Sequence, residues 1–203
     1  MNNLFNAGGF VMWPLLICSI TSLSCIFERL YYWTLIDWHN KNTLDNIFEK
    51  FINYPHDSIK FLKKYKNYPL AKILIRANDY KSQDYESFHL ALTYAIQSSI
   101  KDIRKFDNLF STIITISPLL GLLGTILGLI KSFALLDLGK GDINSIGVTG
   151  GISEALVSTA AGLIVAIFTL LFANYFKSQS NNHISLIQEY SAKVELINSK
   201  NFS

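Results

Sequence analysis

Residues Gly151–Phe176 read GISEALVSTAAGLIVAIFTLLFANYF, and the fold turns on this stretch. After Glu154 come 19 residues, Ala155 to Ala173, without a charge. A helix of about 20 predominantly apolar residues crosses the hydrocarbon core of a bilayer. The stretch therefore predicts a membrane helix with a carboxylate near one end. A charge at membrane depth is costly enough to be rare, and where it occurs it marks a functional site.

The rest of the chain agrees with a membrane reading. Half of its 203 residues are hydrophobic, and they come in blocks. Two more blocks are long enough to span: Phe10 to Phe27, and Leu109 to Leu136, which reads LFSTIITISPLLGLLGTILGLIKSFALL. A soluble chain of this size cannot wrap three fully apolar helices in protein. The predicted fold class is therefore an all-α integral membrane protein with three transmembrane helices. Two of them extend into the cytoplasm as a helical bundle.

Charge sets the expected orientation. Residues 37–106 carry 12 of the 18 Lys and Arg, and the first ten residues carry none. Lys140 alone lies between the second and third blocks, and Lys177, Lys193 and Lys200 follow the third. Positive residues favour the cytoplasmic side. The expected order is a periplasmic N-terminus (1–9), helix 1 (10–33) and a cytoplasmic helical domain (34–106). Helix 2 (107–136), a short periplasmic hairpin (137–150), helix 3 (151–176) and a cytoplasmic helical tail (177–203) follow. The first block reads as a retained span, because MNNLFNAGGF lacks the basic residues of a signal peptide. Glu28, Arg29, Tyr31, Tyr32 and Trp33 mark its inner interface.

The middle region is helical by pattern. Leu44, Ile47, Phe48, Phe51 and Ile52 fall on one stripe, and Leu70, Ile73, Leu74 and Ala77 on another, with Pro55 and Pro69 between. The region is expected to be too small for a large core of its own. Phe88, Leu92, Ala95, Ser99, Ile103, Phe106 and Phe110 continue one stripe into the second span, and no breaker stands between Asp84 and Pro118. A single helix from Asp84 to Leu136 is expected. Ile184, Ile187, Tyr190, Val194 and Ile197 extend the third span in the same way.

Several chemistries are disfavoured. Cys18 and Cys25 lie on one face of one helix, cannot bridge each other, and read as packing residues. His39, His56, His89 and His183 have no ligand spacing, so neither a metal nor a cofactor is expected. The glycines of SPLLGLLGTILGL do not form a phosphate loop, since Leu129 and Ile130 separate Gly128 from Lys131. Gly121, Gly124 and Gly128 read instead as small faces for close helix approach, expected to hold the oligomer together. Pro118 is either a kink or a packing residue.

Glu154 remains, with Thr159 further along its helix and Thr125 at a similar depth on the second. Together they suggest a sparse polar lining, and a lone carboxyl there can take up and release a proton. The plain alternatives are that Glu154 sits at the outer interface or pairs with Lys131. The threonines could simply bond back to their own helices.

The segments SPLLGLLGTILGLIKSF and GGISEALVSTAAGLIVAI, with IFERLYYW after the first span, resemble the MotA/TolQ/ExbB proton-channel family. The three-span layout is similar to ExbB and TolQ rather than to four-span MotA. The resemblance implies five copies in the bacterial inner membrane, enclosing an ExbD- or TolR-like single-span partner and passing motion to a TonB- or TolA-like protein. It implies that Glu154, Thr159 and Thr125 conduct protons. The implied function is the pore-forming subunit of a proton-driven motor that energises TonB-dependent transport across the outer membrane. A TolQ-like envelope-maintenance role and a non-conducting membrane scaffold are the alternatives. An enzyme is not expected, nor a nucleic-acid partner; membrane lipid is. Phe168 departs from the proline that relatives often carry there.

Overall fold

The computed structural model describes residues 8–37, 41–53, 58–65, 68–78, 85–137 and 145–199. The elements are α1 (Met12–Asp37), α2 (Lys41–Asn53), α3 (Ser58–Lys64), α4 (Pro69–Asn78), α5 (Tyr85–Ile103), α6 (Asp107–Asp137) and α7 (Ser145–Ser199). No strand occurs among the described residues. α1, α6 and α7 each contain an apolar run long enough to cross a membrane. The first six residues of α7, 145–150, fall within the expected hairpin, whose residues 138–144 lie outside the described ones.

The chain divides into two units. One comprises the residues up to Glu28 together with Phe106–Tyr175; the other comprises Arg29–Lys105 and the residues from Phe176 onward. α1 and α7 each contribute to both.

The second unit has a conventional apolar core. Each of its helices opposes a buried stripe to an exposed one, as amphipathic helices must in water. α4 packs on α5 and on α3, and α2 packs on α3 and α4. Ile47, Phe51, Leu62, Leu70, Ile73, Leu74, Phe88, Leu92 and Ile103 are fully buried or nearly so. Phe176, Ile184, Ile187, Tyr190 and Val194 of α7 are buried as well. Residues 34–106 do not build this core alone. The short helices are too few by themselves, but the tail of α7 belongs to the same unit and supplies five large side chains.

A correction concerns the helix expected to run unbroken from Asp84 to Leu136. It is interrupted by a turn at Arg104–Phe106, which separates α5 from α6. The break left no mark in the sequence because it is mild. Arg104 N–H still donates to Ile100 O at 3.0 Å, and Phe110 N–H to Phe106 O at 2.9 Å. Neither Pro nor Gly stands there.

Side-chain bonds tie α7 into this second unit. Tyr85 Oη donates to Glu195 Oε1 at 3.0 Å, and His89 Nδ1 shares that oxygen at 2.6 Å. Tyr190 donates to Asp45. Burial, and then the bond to Asp45, push the Tyr190 hydroxyl up to about 12. A phenol whose pKa is raised on folding contributes stability that is fully present below its unfolded value near 10. That contribution is lost as pH rises through about 12. Tyr190→Phe should therefore lower the melting temperature at neutral pH, consistent with loss of one hydrogen bond worth about 1 kcal/mol. The gap from wild type should close as pH approaches 12. Melts followed by helical circular dichroism between pH 7 and 12 check this; a gap that stays constant would contradict it.

The first unit is built the opposite way. It buries Leu15, Ile26, Phe110 and Ile113, but where α6 faces α7 the buried residues are small: Ser117, Gly121, Gly124, Gly128 and Ser132 on α6, and Gly151, Ala155, Ser158, Gly162 and Ala166 on α7. Large side chains such as Leu119, Leu122, Ile126, Ile130, Ile164 and Leu171 point outward. In lipid nothing drives Leu inward, so helices associate through close backbone approach and hydrogen bonds instead. Ser22 of α1 meets Thr169 of α7 at 2.7 Å; Thr169 Oγ1 donates to Val165 O, so the Ser22 hydroxyl is the donor between them.

Candidate functional site

The spacing of the buried small residues fixes the site. On α6 they recur at 117, 121, 124, 128 and 132, and on α7 at 151, 155, 158 and 162, which is the three-and-four repeat of one helical face. A Cβ on Gly128 would lie 2.7 Å from Gly151 O and 2.9 Å from the Ala155 Cβ. One on Gly121 would lie 3.0 Å from the Thr159 Cα. The side chain of Ser158 fills the space that a side chain on Gly124 would need. The glycines thus face α7 of their own chain. The sequence marks a small face but not the helix that covers it, and here that helix is α7. α6 continues through Pro118, which is half-buried.

This seam places the polar groups. Thr159 Oγ1 donates to Gly121 O across it at 2.9 Å. Ser158 Oγ donates to Ala155 O at 2.8 Å. Thr125 Oγ1 turns back to Leu122 O on its own helix at 2.6 Å. Both threonines therefore bond backbone carbonyls, and neither is hydrogen-bonded to Glu154.

Glu154 has two neighbours of its own. Its Oε2 accepts from Lys131 Nζ at 2.8 Å, with the glutamate side chain 21% exposed and the lysine 63%. The pairing left open by the sequence is thus the one observed. Oε1 lies against Gly9, so close that a Cβ there would fall on the carboxylate. Gly9 is also the one described residue with positive φ, at 69°, where an L side chain is strained. It stands in the turn that opens α1, with Met12 N–H donating to Gly9 O at 3.1 Å. Nothing in the local sequence linked Gly9 to Glu154. The α7 half of the seam, by contrast, could have been found from the repeat at Gly151, Ala155, Ser158 and Gly162.

Cys25 is buried and Cys18 half-buried. Among the described residues no group of three or more His, Cys, Asp or Glu is placed to hold a metal ion. Phe168 is exposed and packs against Phe172 with ring centroids 5.0 Å apart, and α7 is helical through it.

Three apolar helices, a small-residue seam between the second and third, and one carboxylate at its end define a class of polytopic membrane protein. A model of the MotA/TolQ/ExbB proton channel family matches residues 57–189. The chain belongs to that family. It is 44% identical over 192 residues to the biopolymer transport protein ExbB-like 3 of Synechocystis sp., covering 94% of this chain and 91% of that one. It is 31% identical over 195 residues to ExbB-like 1 of the same organism, covering 95% and 77%. The biopolymer transport protein ExbB of Salmonella typhimurium is 27% identical over 124 residues, covering 59% and 50%.

Proposed function

We propose that this chain is the pore-forming subunit of an inner-membrane proton-driven motor, ExbB-like in energising TonB-dependent transport across the outer membrane. It would assemble as a homopentamer around an ExbD- or TolR-like single-span partner and act on a TonB- or TolA-like protein. Its N-terminus would be periplasmic and its C-terminus cytoplasmic, as the distribution of Lys and Arg favours. The names of its relatives favour an ExbB-like over a TolQ-like role.

One observation carries the proton-conducting part of this reading. Glu154 is the single carboxylate of residues 108–136 and 145–176, and it is partly shielded and adjacent to a cation. An ionisable residue of that kind in an apolar span is a functional group by default. Thr159 and Thr125 would serve as hydroxyls along the path. The ion pair also favours a second reading, a non-conducting scaffold in which Lys131 permanently occupies the carboxylate.

The two readings are separated by reconstituting the chain with its single-span partner in proteoliposomes, imposing a potential and following internal pH. A channel subunit gives flux well above empty liposomes. Flux equal to that of empty liposomes, with the complex shown to be inserted, would leave only the scaffold.

A further inference from the structure

Both oxygens of the Glu154 carboxylate have a close neighbour. Oε2 holds the Lys131 ammonium at 2.8 Å, and Oε1 lies against Gly9. While the pair holds, the ammonium occupies the place at Oε2 that an incoming proton would take. The two neighbours differ in kind. Gly9 belongs to a turn bonded into the start of α1, whereas Lys131 is a long side chain, mostly exposed and free to swing on its stem. Lys131 is also the only cation of residues 106–137, and it stands beside the only carboxylate of residues 145–176.

We propose that Lys131 is a positioning residue that gates Glu154: it holds the carboxylate between transfers, and the proton is accepted only when the pair parts. This rests on the reading of Glu154 as the proton carrier. An exposed ion pair is worth little, so the gate opens readily and limits the rate without blocking it. Lys131 touches no proton in transit; it acts through the oxygen it occupies.

The test measures flux through the complex with its partner in proteoliposomes, at matched insertion, for wild type, Lys131→Gln, Lys131→Met, Lys131→Arg, Glu154→Gln and the Lys131→Gln/Glu154→Gln double variant. Lys131→Gln and Lys131→Met should raise flux about fivefold, the factor that about 1 kcal/mol of lost pairing gives. Lys131→Arg, which keeps the cation, should stay at the wild-type rate. The double variant should fall to the level of Glu154→Gln. Three outcomes would overturn the gate. One is flux in both neutral variants at or below wild type. Another is extra flux that survives in the double variant, since that marks a leak through a loosened bundle. The third is wild-type flux in Glu154→Gln, which removes the carrier reading itself and is told apart from the other two because the lysine variants are not needed to see it.

Discussion

Glu154→Gln is expected to abolish proton flux while leaving insertion and assembly at wild-type levels. Glutamine keeps the length and branching of the side chain, and its amide oxygen can still accept from Lys131 at the 2.8 Å separation seen for the carboxylate. It also still fits against Gly9, where the volume required is that of a carboxylate. What it cannot do is exchange a proton. Glu154→Asp retains a titratable group on a shorter stem and should conduct partially. Thr159→Ala should cost much less, because a water can stand in for a hydroxyl along a path. That variant also removes the bond to Gly121 O, which should weaken the seam by about 0.6 kcal/mol. Internal pH in proteoliposomes under an imposed potential reads all three. Wild-type flux in Glu154→Gln would show the glutamate to be structural and the proton to travel elsewhere.

The second large effect is expected at Gly128. A leucine there directs its Cβ to within 2.7 Å of a backbone oxygen on α7 and 2.9 Å of the Ala155 methyl carbon. Neither obstacle is the flexible end of a side chain, so the helices must separate along the whole seam. Overpacking of this kind costs about 1–3 kcal/mol in soluble cores, and a rigid helix pair leaves fewer ways to relax. Gly128→Leu should melt well below wild type in detergent even as an isolated chain, because the contact it breaks is internal. Gly150→Ala supplies the control: apart from its own helical turn, nothing lies within 4 Å of where its Cβ would be. Equal melting of Gly128→Leu and wild type would show that α6 and α7 do not pack as described.

Much of this was legible in the sequence, for a physical reason in each case. The three spans were visible because lipid demands long uncharged runs, and no soluble helix this small shares that signature. Phe88, Leu92, Ala95, Ser99 and Ile103 were placed on one buried stripe because a helix in water must hide its apolar face. The glycines of α6 were recognised as a packing face, but not the helix they meet, since a small face looks the same whether its own chain or another covers it. The Lys131–Glu154 pair stayed undecided because spacing within each helix says nothing of the rotation of one helix against the other. Gly9 was invisible because its role depends on a contact with a residue far away in sequence. The turn at Arg104–Phe106 was missed because it keeps the hydrogen-bond pattern of the helix on either side.

The contrast between the large-residue core and the small-residue seam has a thermal consequence. The Arg29–Lys105 unit buries phenylalanine, leucine and isoleucine, whose hydration on unfolding gives a large positive heat-capacity change. The seam of Gly, Ser and Ala buries mainly backbone and few alkyl groups, so its opening carries almost none. Stabilities with different curvature in temperature diverge on cooling, where apolar burial loses strength and close contact does not. Cold should therefore loosen the large-residue unit first and leave the glycine seam, with Glu154 beside it, nearly untouched.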